Sequence, residues 1–541
     1  MRFSFLFILS VFFCSCSVSQ KSVVTIFKNS FYPIVPIHET ENWQYKDIIK
    51  DTLAGISLEK AYKELVLGKN DDTITVATIG TPIDINHEHL KNSIWINTAE
   101  IPNNNIDDDN NGYIDDIHGW NFLGNAKGTN DIYMQLEVTR LLKKYEAQQL
   151  TNTNEPKYIL AKNIYDSIYK VSKKEYDHYS SIHEAYTYIK SEFAKKSLFG
   201  NYSIKKLDSI QKTYANDWYF QNIVKSLINF ERYVGGKNIV SRNELYTKHI
   251  HVLLNKEYND RELQGDNPND LEDAFYGNNI VNHNVDKLKQ GTSVAGLLVR
   301  SPNSPVEGIS SYIKLMPICV SGYGSAHDKD IALAIKYAVD NGAKVIHLDA
   351  TKLLSLKKEW VFEAFRYAEK HNVLIVAPAG NASANLTTTN YYFPNDNIDN
   401  GKKVANNFLL VGASTYEPNE KLVASFSNYG SIDVDIFAPA TEIYTTTTCN
   451  TYDFQDSTAM ASSLTAGVAA LLFLKYPNLS AAEIKQIIMD SGVSYDIMVN
   501  KPSASKEKEL VPFSSLSKSG KIVNAYNALM MAKEVSEKKT K

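Results

Sequence analysis

The chain has 541 residues, enough for one large α/β domain with an added subdomain or for three ordinary domains. Hydrophobic residues make up 43% and charged residues 22% of it, which excludes a disordered chain and a chain of repeated membrane spans. The formal net charge of −4 gives no global field that would favour nucleic acid or anionic lipid, so we expect neither as a partner on this ground.

The N-terminus has the pattern of an export signal. Arg2 precedes an apolar run over residues 3–13, and small polar residues and two cysteines follow. This pattern predicts a lipoprotein-type signal sequence over residues 1–20. The segment that ends at Cys16 resembles a bacterial lipobox, so we predict that Cys16 is lipidated and that this lipid alone tethers the exported chain to the cell envelope. Phe13 replaces the usual Leu of such a box, and secretion after cleavage elsewhere is the alternative.

Two further cysteines, Cys319 and Cys449, remain in the processed chain. A chain of this size does not need disulfide staples, so we predict two buried free thiols rather than a bonded pair. Neither thiol has a matched Cys or His cluster beside it in the sequence, and no zinc site is predicted.

The predicted elements begin with a helical lead-in over residues 42–69. Short apolar, β-branched runs then predict strands that are covered on both faces. These runs are residues 73–79, 343–348, 372–377 and 407–413. Helical spacing predicts helices at residues 330–341 and 358–371. Alternating strands and helices predict a parallel sheet with helices on both faces, which is an α/β fold.

Residues 128–275 do not join that alternation. They are rich in Tyr, Lys, Ser and Glu, and apolar residues recur at helical spacing, as at Ile182, Tyr186 and Ile189. We predict a packed helical insertion within the α/β domain of residues 42–541. Aromatic residues interleaved with lysines also occur in nucleic-acid-binding proteins, but tyrosine at helical spacing more often packs in a core or an interface.

The C-terminal region is predicted to be helical. Residues 458–474 are typical of an apolar helix of small residues, and Ser480 with Glu483 has the spacing of a capping box. A last helix is predicted over residues 523–535.

Four segments, taken in order, now resemble the subtilisin-like serine protease family. Residues 76–84 resemble the segment that carries the catalytic Asp, and residues 290–296 resemble the histidine segment H-G-T-H-V-A-G. Residues 376–381 resemble the segment whose Asn completes the oxyanion hole, and residues 457–463 resemble the nucleophile segment G-T-S-M-A-S-P. The resemblance implies the three-layer parallel sheet of that family, interrupted by the helical insertion.

The resemblance also implies that the catalytic triad is missing. The places of the carboxylate, the imidazole and the nucleophile hold Gly80, Gln290 and Ala459, and only the oxyanion-hole residue Asn381 is retained. Glycine has no side chain, an amide is no base near neutral pH, and a methyl group cannot attack a carbonyl. In a subtilisin, loss of the nucleophile alone costs about 10⁶ in turnover.

Neighbouring positions of the motifs have changed as well. Ser457 replaces the glycine before the nucleophile, Ser463 the proline after it, and Ser293 the second histidine. Asp349 and Thr351 replace the Ser and Gly of a substrate-lining segment, which makes peptide docking by strand addition doubtful.

A few other side chains are candidates to replace the triad. Thr458 adjoins Ala459, but adjacent helix positions point in different directions and no base is beside it. We expect His87, His89 and His283 to be solvent-exposed loop histidines. The alternative is that one of them supplies a base.

An acidic loop resembles the start of an EF-hand and predicts a structural calcium site. Oxygen ligands alternate around Gly112, where the chain must turn. The predicted ligands are Asp107, Asp109, Asn111, the Tyr113 carbonyl, and Asp115 or Asp116. His118 stands where the usual bidentate Glu would be, and a solvated acidic turn without an ion is the alternative. No catalytic cofactor is predicted.

Three functions are therefore open. The first is a catalytically inactive pseudoprotease that binds a protein or peptide partner at the cell envelope. The second is an active endopeptidase that uses other residues. The third is a structural envelope lipoprotein that makes contacts through its helical insertion.

Overall fold

The computed structural model describes residues 25–26, 42–65, 72–149, 155–198, 202–233, 235–302, 304–386, 392–399, 402–505 and 508–540. The predicted signal sequence over residues 1–20 and the predicted lipidation site Cys16 lie outside these residues.

Sixteen strands and thirteen helices are present in the described chain. The strands are β1 (Thr25–Ile26), β2 (Ile74–Gly80), β3 (Trp120–Asn121), β4 (Ile313–Cys319), β5 (Val345–Leu348), β6 (Leu374–Pro378), β7 (Asn397–Asp399), β8 (Lys402–Lys403), β9 (Phe408–Ser414), β10 (Ile436–Pro439), β11 (Ile443–Thr447), β12 (Thr451–Gln455), β13 (Val493–Tyr495), β14 (Met498–Asn500), β15 (Leu510–Pro512) and β16 (Lys521–Ile522). The helices are α1 (Ile48–Asp51), α2 (Leu58–Glu64), α3 (Glu137–Ala147), α4 (Pro156–Lys195), α5 (Ile204–Thr213), α6 (Trp218–Tyr233), α7 (Gly236–Lys248), α8 (Gln290–Leu298), α9 (Asp328–Asp340), α10 (Lys358–Lys370), α11 (Thr458–Lys475), α12 (Ala481–Ser491) and α13 (Ala525–Lys539). Single helical turns occur at Trp43–Tyr45, Lys91–Ser93, His249–Leu253 and Phe513–Ser515.

One ten-stranded sheet organises the chain, in the order β1-β13-β16-β10-β9-β6-β5-β2-β4-β3. All neighbours in it are parallel except β13 and β16. Alternate residues of a strand face opposite sides of the sheet. Val76 accordingly packs with α8 and α11 on one face, and Ala77 packs with α9 and α10 on the other. The predicted α/β fold with a parallel sheet between two helical layers is confirmed.

Helix α11 forms the centre of one face. It begins at Thr458, and small side chains let it pack closely, so that a Cβ at Gly467 would lie 2.5 Å from Ile309 Cγ1. By length and composition α11 could cross a membrane, but 89% of that stretch is buried inside the protein. The capping box predicted at Ser480 is confirmed, because Ser480 Oγ accepts from the N–H of Glu483 and the Glu483 carboxylate accepts from the N–H of Ser480.

The prediction for the cysteines is half correct. Cys319 is a buried free thiol on β4, and burial raises its pKa. Cys449 is free but exposed, which corrects the prediction. It lies in the turn between β11 and β12 with a φ of 61°. Tight turns of a two-stranded ribbon face solvent, so the position does not bury its side chain.

The predicted insertion contains five helices, α3 to α7. Helix α4 is 40 residues long, which corresponds to roughly 60 Å. Its distal part packs with α5 and α6 around a separate hydrophobic core that includes Ile189, Phe193 and Phe220. Its first turns pack on α3 and on Leu354 and Leu356 of the α/β domain. The boundaries 128–275 remain a prediction.

Buried ion pairs join the insertion to the α/β domain. Arg140 of α3 contacts Glu137 at 2.6 Å and Asp260 at 2.9 Å, and its Nη2 donates to the Ser325 carbonyl. Lys352, which is buried, lies 3.4 Å from Glu137 and 2.7 Å from Asp328. Paired charges of this kind fix the contact geometry between two elements, because separating either partner would leave a buried charge alone.

Candidate active site

The four motif segments meet at the carboxyl ends of the parallel strands. β2 ends at Gly80, α8 begins at Gln290, β6 ends just before Asn381, and α11 begins beside Ala459. The carboxyl ends of such strands form the usual binding edge of an α/β sheet. A cavity of about 420 Å³ is present there, lined by Thr81, Lys287, Leu288, Lys289, Gln290, Gly322, Tyr323, Gln455, Asp456, Ser457 and Met460.

Asp349 occupies the space beside Gly80. A Cβ at Gly80 would lie 3.2 Å from the Asp349 carbonyl oxygen and 3.4 Å from its Cβ, so a larger residue at position 80 would press on Asp349. Gln290 Nε2 donates to Asp349 Oδ2 at 2.5 Å. The Asp349 carboxylate, just after the neighbouring strand β5, therefore contacts residue 290. By the resemblance this residue would be the catalytic histidine, but here it is a glutamine.

Burial raises the pKa of the Asp349 carboxyl group to about 6, and the hydrogen bond from Gln290 opposes this shift. The residue is only 9% exposed. The protonated acid is favoured in an environment of low dielectric constant. The sequence identifies Asp349 only as an altered position.

The oxyanion donors are occupied by the chain itself. Asn381 Nδ2 donates to Ser457 Oγ at 3.1 Å, and the N–H of Ala459 donates to the same oxygen at 3.1 Å. Ser457 is also the N-cap of α11, with extended backbone angles. A serine at this position satisfies a free N–H of the first helical turn, which is its ordinary role. The resemblance implies that Asn381 is an oxyanion donor, and in this structure its amide donates to the Ser457 hydroxyl.

Thr458 is committed to structural hydrogen bonds. Its Oγ1 donates to Asn381 Oδ1 at 2.9 Å and accepts from the N–H of Gly380 at 3.1 Å. Thr458 is 1% exposed. It joins the start of α11 to the end of β6, and in the described chain no histidine, lysine or carboxylate contacts it as a base.

Tyr392 fills the space between the ends of β5 and β6. Its ring packs so closely on Gly380 that a Cβ there would lie 2.5 Å from Tyr392 Cε2. The hydroxyl donates to the carbonyl of Pro378. Burial raises its pKa, with a further contribution from Asp349.

The three histidines considered as replacements are buried, which corrects the expectation of solvent-exposed loops. His87 Nε2 lies 3.3 Å from the Thr451 carbonyl, and His89 Nε2 lies 2.8 Å from the Val299 carbonyl. His283 Nδ1 accepts from Asn284, and burial lowers its pKa to about 4. Distant segments cover the turns of these residues, and local sequence does not reveal such contacts. Each ring serves the packing of its own loop.

A buried serine–histidine contact lies beneath the cleft. His347 Nε2 and Ser462 Oγ are 2.8 Å apart, and Ser462 Oγ also donates to the Ala459 carbonyl. Burial lowers the pKa of His347 to about 4. Both side chains are fully buried, so no substrate reaches the hydroxyl.

The acidic loop forms a compact cluster. One carboxylate oxygen from each of Glu100, Asp109 and Asp116 lies within 4.8 Å of the others. Asn111 Nδ2 donates to Asp109 and Asp116, and burial raises the pKa of Asp116. Sequence reasoning missed Glu100 because it lies outside the alternating pattern of the loop.

The other predicted ligands are placed differently. The Asp107 carboxylate accepts from the N–H groups of Asn111 and Gly112, and the Asp115 carboxylate accepts from those of Asn104 and Asn105. The Tyr113 ring packs on Trp120 and Tyr337, and the Tyr113 carbonyl stays a predicted ligand. The loop thus brings together Asp109, Asn111 and Asp116 of the predicted set, and it adds Glu100.

Comparisons with known proteins agree with this architecture. The model of the subtilase family matches residues 71–509. The chain belongs to the subtilase family. Subtilisin DY from Bacillus licheniformis is 31% identical over 39% of this chain and 73% of its own length. The cell wall-associated protease of Bacillus subtilis (strain 168) is 31% identical over 42% of this chain, which spans only 23% of that protein.

A solved structure is similar over a larger part of the chain. The epidermin leader peptide processing serine protease EpiP from Staphylococcus aureus is 15% identical, covering 88% of this chain and 79% of its own, with a TM-score of 0.45.

The altered cleft of this subtilase predicts an unusual pH dependence of stability. Because the folded-state pKa of Asp349 is raised, the unfolded chain loses this proton first, and the contribution of Asp349 to stability falls between about pH 4 and pH 6. A difference of about two between the pKa values of Asp349 in the folded and unfolded chain corresponds to about 3 kcal/mol of stability.

We expect Asp349→Asn, which retains an acceptor for Gln290, to raise the free energy of unfolding by about 2–3 kcal/mol at pH 8 and to change it little at pH 4. Urea denaturation at both pH values measures this, with the exposed Asp286→Asn as control. A pH-independent difference would contradict the burial of Asp349.

Proposed function

We propose that this subtilase is a catalytically inactive pseudoprotease that binds a protein or peptide partner at the cell envelope. The observation that carries the first part is the position of Ser457 Oγ, which accepts from both Asn381 Nδ2 and the N–H of Ala459. Those are the donors that an oxyanion would need. A site whose motif positions hold no nucleophile, no base and no open oxyanion donor has lost every group that accelerates acyl transfer.

The magnitudes support inactivity. A protease without its triad still accelerates hydrolysis about 10³- to 10⁴-fold over water, but only when the oxyanion hole and the binding surface still stabilise the transition state. Removing one oxyanion donor costs a further 10² to 10³. Here the Ser457 hydroxyl engages both donors, and Tyr392 fills the adjacent space. Even the residual rate would be lost.

Features of the cleft and the N-terminus support binding at the envelope. The cavity is lined by polar side chains that include Lys289, Gln290 and Asp456, and such groups can hydrogen-bond a peptide without cleaving it. The N–H and the carbonyl of Tyr323 already bond to Ile132 and Met134 of the chain itself. Binding through the cleft is one route, and the helical insertion offers a second surface. The lipoprotein-type signal and the predicted lipid on Cys16 favour the envelope, and one relative is named as cell wall-associated.

A fluorophosphonate probe and unfolded casein test inactivity. We expect the chain, and its Ser457→Ala and Thr458→Ala variants, to show neither labelling nor cleavage above a heat-unfolded control. Labelling of the unaltered chain that is abolished by Ser457→Ala or Thr458→Ala would instead identify an active protease that uses one of these hydroxyls.

A second pair of variants tests the role of Ser457 directly. Both carry Gln290→His and Ala459→Ser, which supply a base and a nucleophile, and only one also carries Ser457→Gly. Because a glycine at position 457 would leave both donors open, we expect probe labelling of that variant to be faster by about 10². Glycine is a tolerated N-cap, so the cost in stability is only a few tenths of a kcal/mol. Equal labelling rates would show that Ser457 does not block the hole.

The binding half of the proposal is tested with peptides selected by display on the pure chain. We expect Gln290→Trp to weaken their binding at least tenfold, because an indole at that position would fill much of the cavity. The matched control is Lys336→Trp, at an exposed position of α9. Binding that survives Gln290→Trp but is lost when α4 is altered would assign partner recognition to the insertion.

We also propose that the acidic loop binds a structural calcium ion, with Glu100, Asp109 and Asp116 as carboxylate ligands. Three carboxylates in so small a volume repel one another, and a cation bound between them would offset that repulsion. Oxygen donors at this spacing suit Ca²⁺. The ion would stabilise the loop and would not restore catalysis.

Thermal unfolding with Ca²⁺ and with a chelator tests this site. At a Ca²⁺ concentration about 100-fold above Kd, we expect stabilisation of about 2.7 kcal/mol, and we expect Asp109→Asn with Asp116→Asn to abolish it. Asp115→Asn should lower stability, because it weakens the hydrogen bonds to Asn104 and Asn105, yet retain the calcium shift. A shift that survives the double substitution would rule out this ligand set.

A further inference from the structure

The distal end of the helical insertion exposes aromatic side chains that its own core does not use. Trp218, at the start of α6, is 78% exposed, which is the largest exposure among the large hydrophobic residues of the described chain. Tyr219 and Tyr188 are about half exposed, and their hydroxyls are 2.7 Å apart. Phe193 and Phe220, on the same helices, are buried. The exposed rings therefore lie on a packed support.

Basic residues surround these rings. Residues 155–250 contain sixteen Lys and Arg against ten Asp and Glu, a net charge of +6, whereas the whole chain carries −4. Over residues 186–225 there are seven lysines and three acidic residues. The excess of positive charge is thus concentrated at the distal end of the insertion.

The lysines are placed around Trp218. Lys225 lies seven positions after Trp218 on α6, which puts both on the same face of the helix, and both are exposed. Lys212 is exposed near the end of α5, next to Gln211, whose carbonyl accepts from Gln221 Nε2 of α6. Lys196, at the end of α4, pairs with Asp217 at 3.0 Å and so joins the end of α4 to the start of α6. We call the surface formed by Tyr188, Lys212, Trp218, Tyr219 and Lys225 the distal patch.

We infer that the distal patch binds the surface of a membrane that contains anionic lipid. Tryptophan and tyrosine rings favour the boundary between headgroups and acyl chains, because each has an apolar body and a polar tip. Lysine near an anionic leaflet contributes about 1 kcal/mol. This combination of exposed rings with a local excess of positive charge favours a lipid surface over a peptide ligand. Helix α4, roughly 60 Å long, separates the patch from the contacts that its first turns make with the α/β domain.

Vesicle sedimentation tests this with the chain from residue 21 onward, which includes every residue that the structure describes and carries no N-terminal lipid. The probes are vesicles of phosphatidylglycerol with phosphatidylcholine in equal parts and vesicles of phosphatidylcholine alone. We expect binding to the anionic vesicles that weakens as salt is raised, and little binding to the neutral ones.

Substitutions in the distal patch should weaken binding to anionic vesicles according to the aromatic ring or the positive charge that each removes. We expect Trp218→Ala to reduce it about tenfold, and Lys212→Ala and Lys225→Ala about fivefold each. The controls are Trp360→Ala and the exposed pair Lys336→Ala and Lys370→Ala on α9 and α10, which should bind as the unaltered chain does. Equal thermal unfolding of the patch variants would show that their folds are intact.

Three results would overturn the inference. The first is the absence of binding to anionic vesicles, and the second is binding that the patch substitutions leave unchanged. The third is a dimer in sedimentation velocity that the same substitutions dissociate. The basic distal patch would then bind the acidic α/β domain of a second copy rather than a lipid surface.

Discussion

A single hydroxyl group at the start of α11 determines much of the state of the cleft. The first N–H groups of a helix have no partner within the helix, and α11 meets this need with Ser457, whose Oγ accepts from the N–H of Ala459. By the resemblance to the family motif, that N–H is also the backbone donor of the oxyanion hole. Asn381 Nδ2 donates to the same oxygen. The hydroxyl that caps the helix therefore also engages both donors of the oxyanion hole. The family motif G-T-S-M-A-S-P has glycine at the position of Ser457. A glycine has no hydroxyl there, so it leaves both oxyanion donors free.

The rest of the cleft is likewise filled by internal contacts. Asp349 fills the space beside Gly80, and Gln290 provides its buried carboxyl group with a donor. Tyr392 closes the gap between β5 and β6. Vacant buried space is costly because the atoms around it lose their contacts, so these internal contacts stabilise the cleft. The site is therefore packed, and its remaining cavity lies on the side of Gln290 and Gly322.

The insertion is joined to this domain by charge pairs and ends in a core of its own. Burial alone would raise the pKa of Glu137, but Lys352 and Arg140 lower it to about 2, so the carboxylate stays ionised within the junction. This junction orients α3 and the base of α4, while the distal core of α4 to α6 packs independently. The position of the distal patch relative to the α/β domain follows from these two contacts.

Sequence patterns predicted the strands β2, β5, β6 and β9 within one or two residues, because a strand buried on both faces is marked by its own apolar run. They also placed Gly80, Gln290 and Ala459 at the positions that the resemblance gives to the triad, because motif order identifies those positions. Only the tertiary structure decided what fills those positions. Gln290 and Asp349 are 59 residues apart, Asn381 and Ser457 are 76 apart, and Glu100 joins the acidic loop from outside its pattern. The exposure predicted for His87 and His89 and the burial predicted for Cys449 were wrong for the same reason, because exposure depends on which distant segment covers a turn.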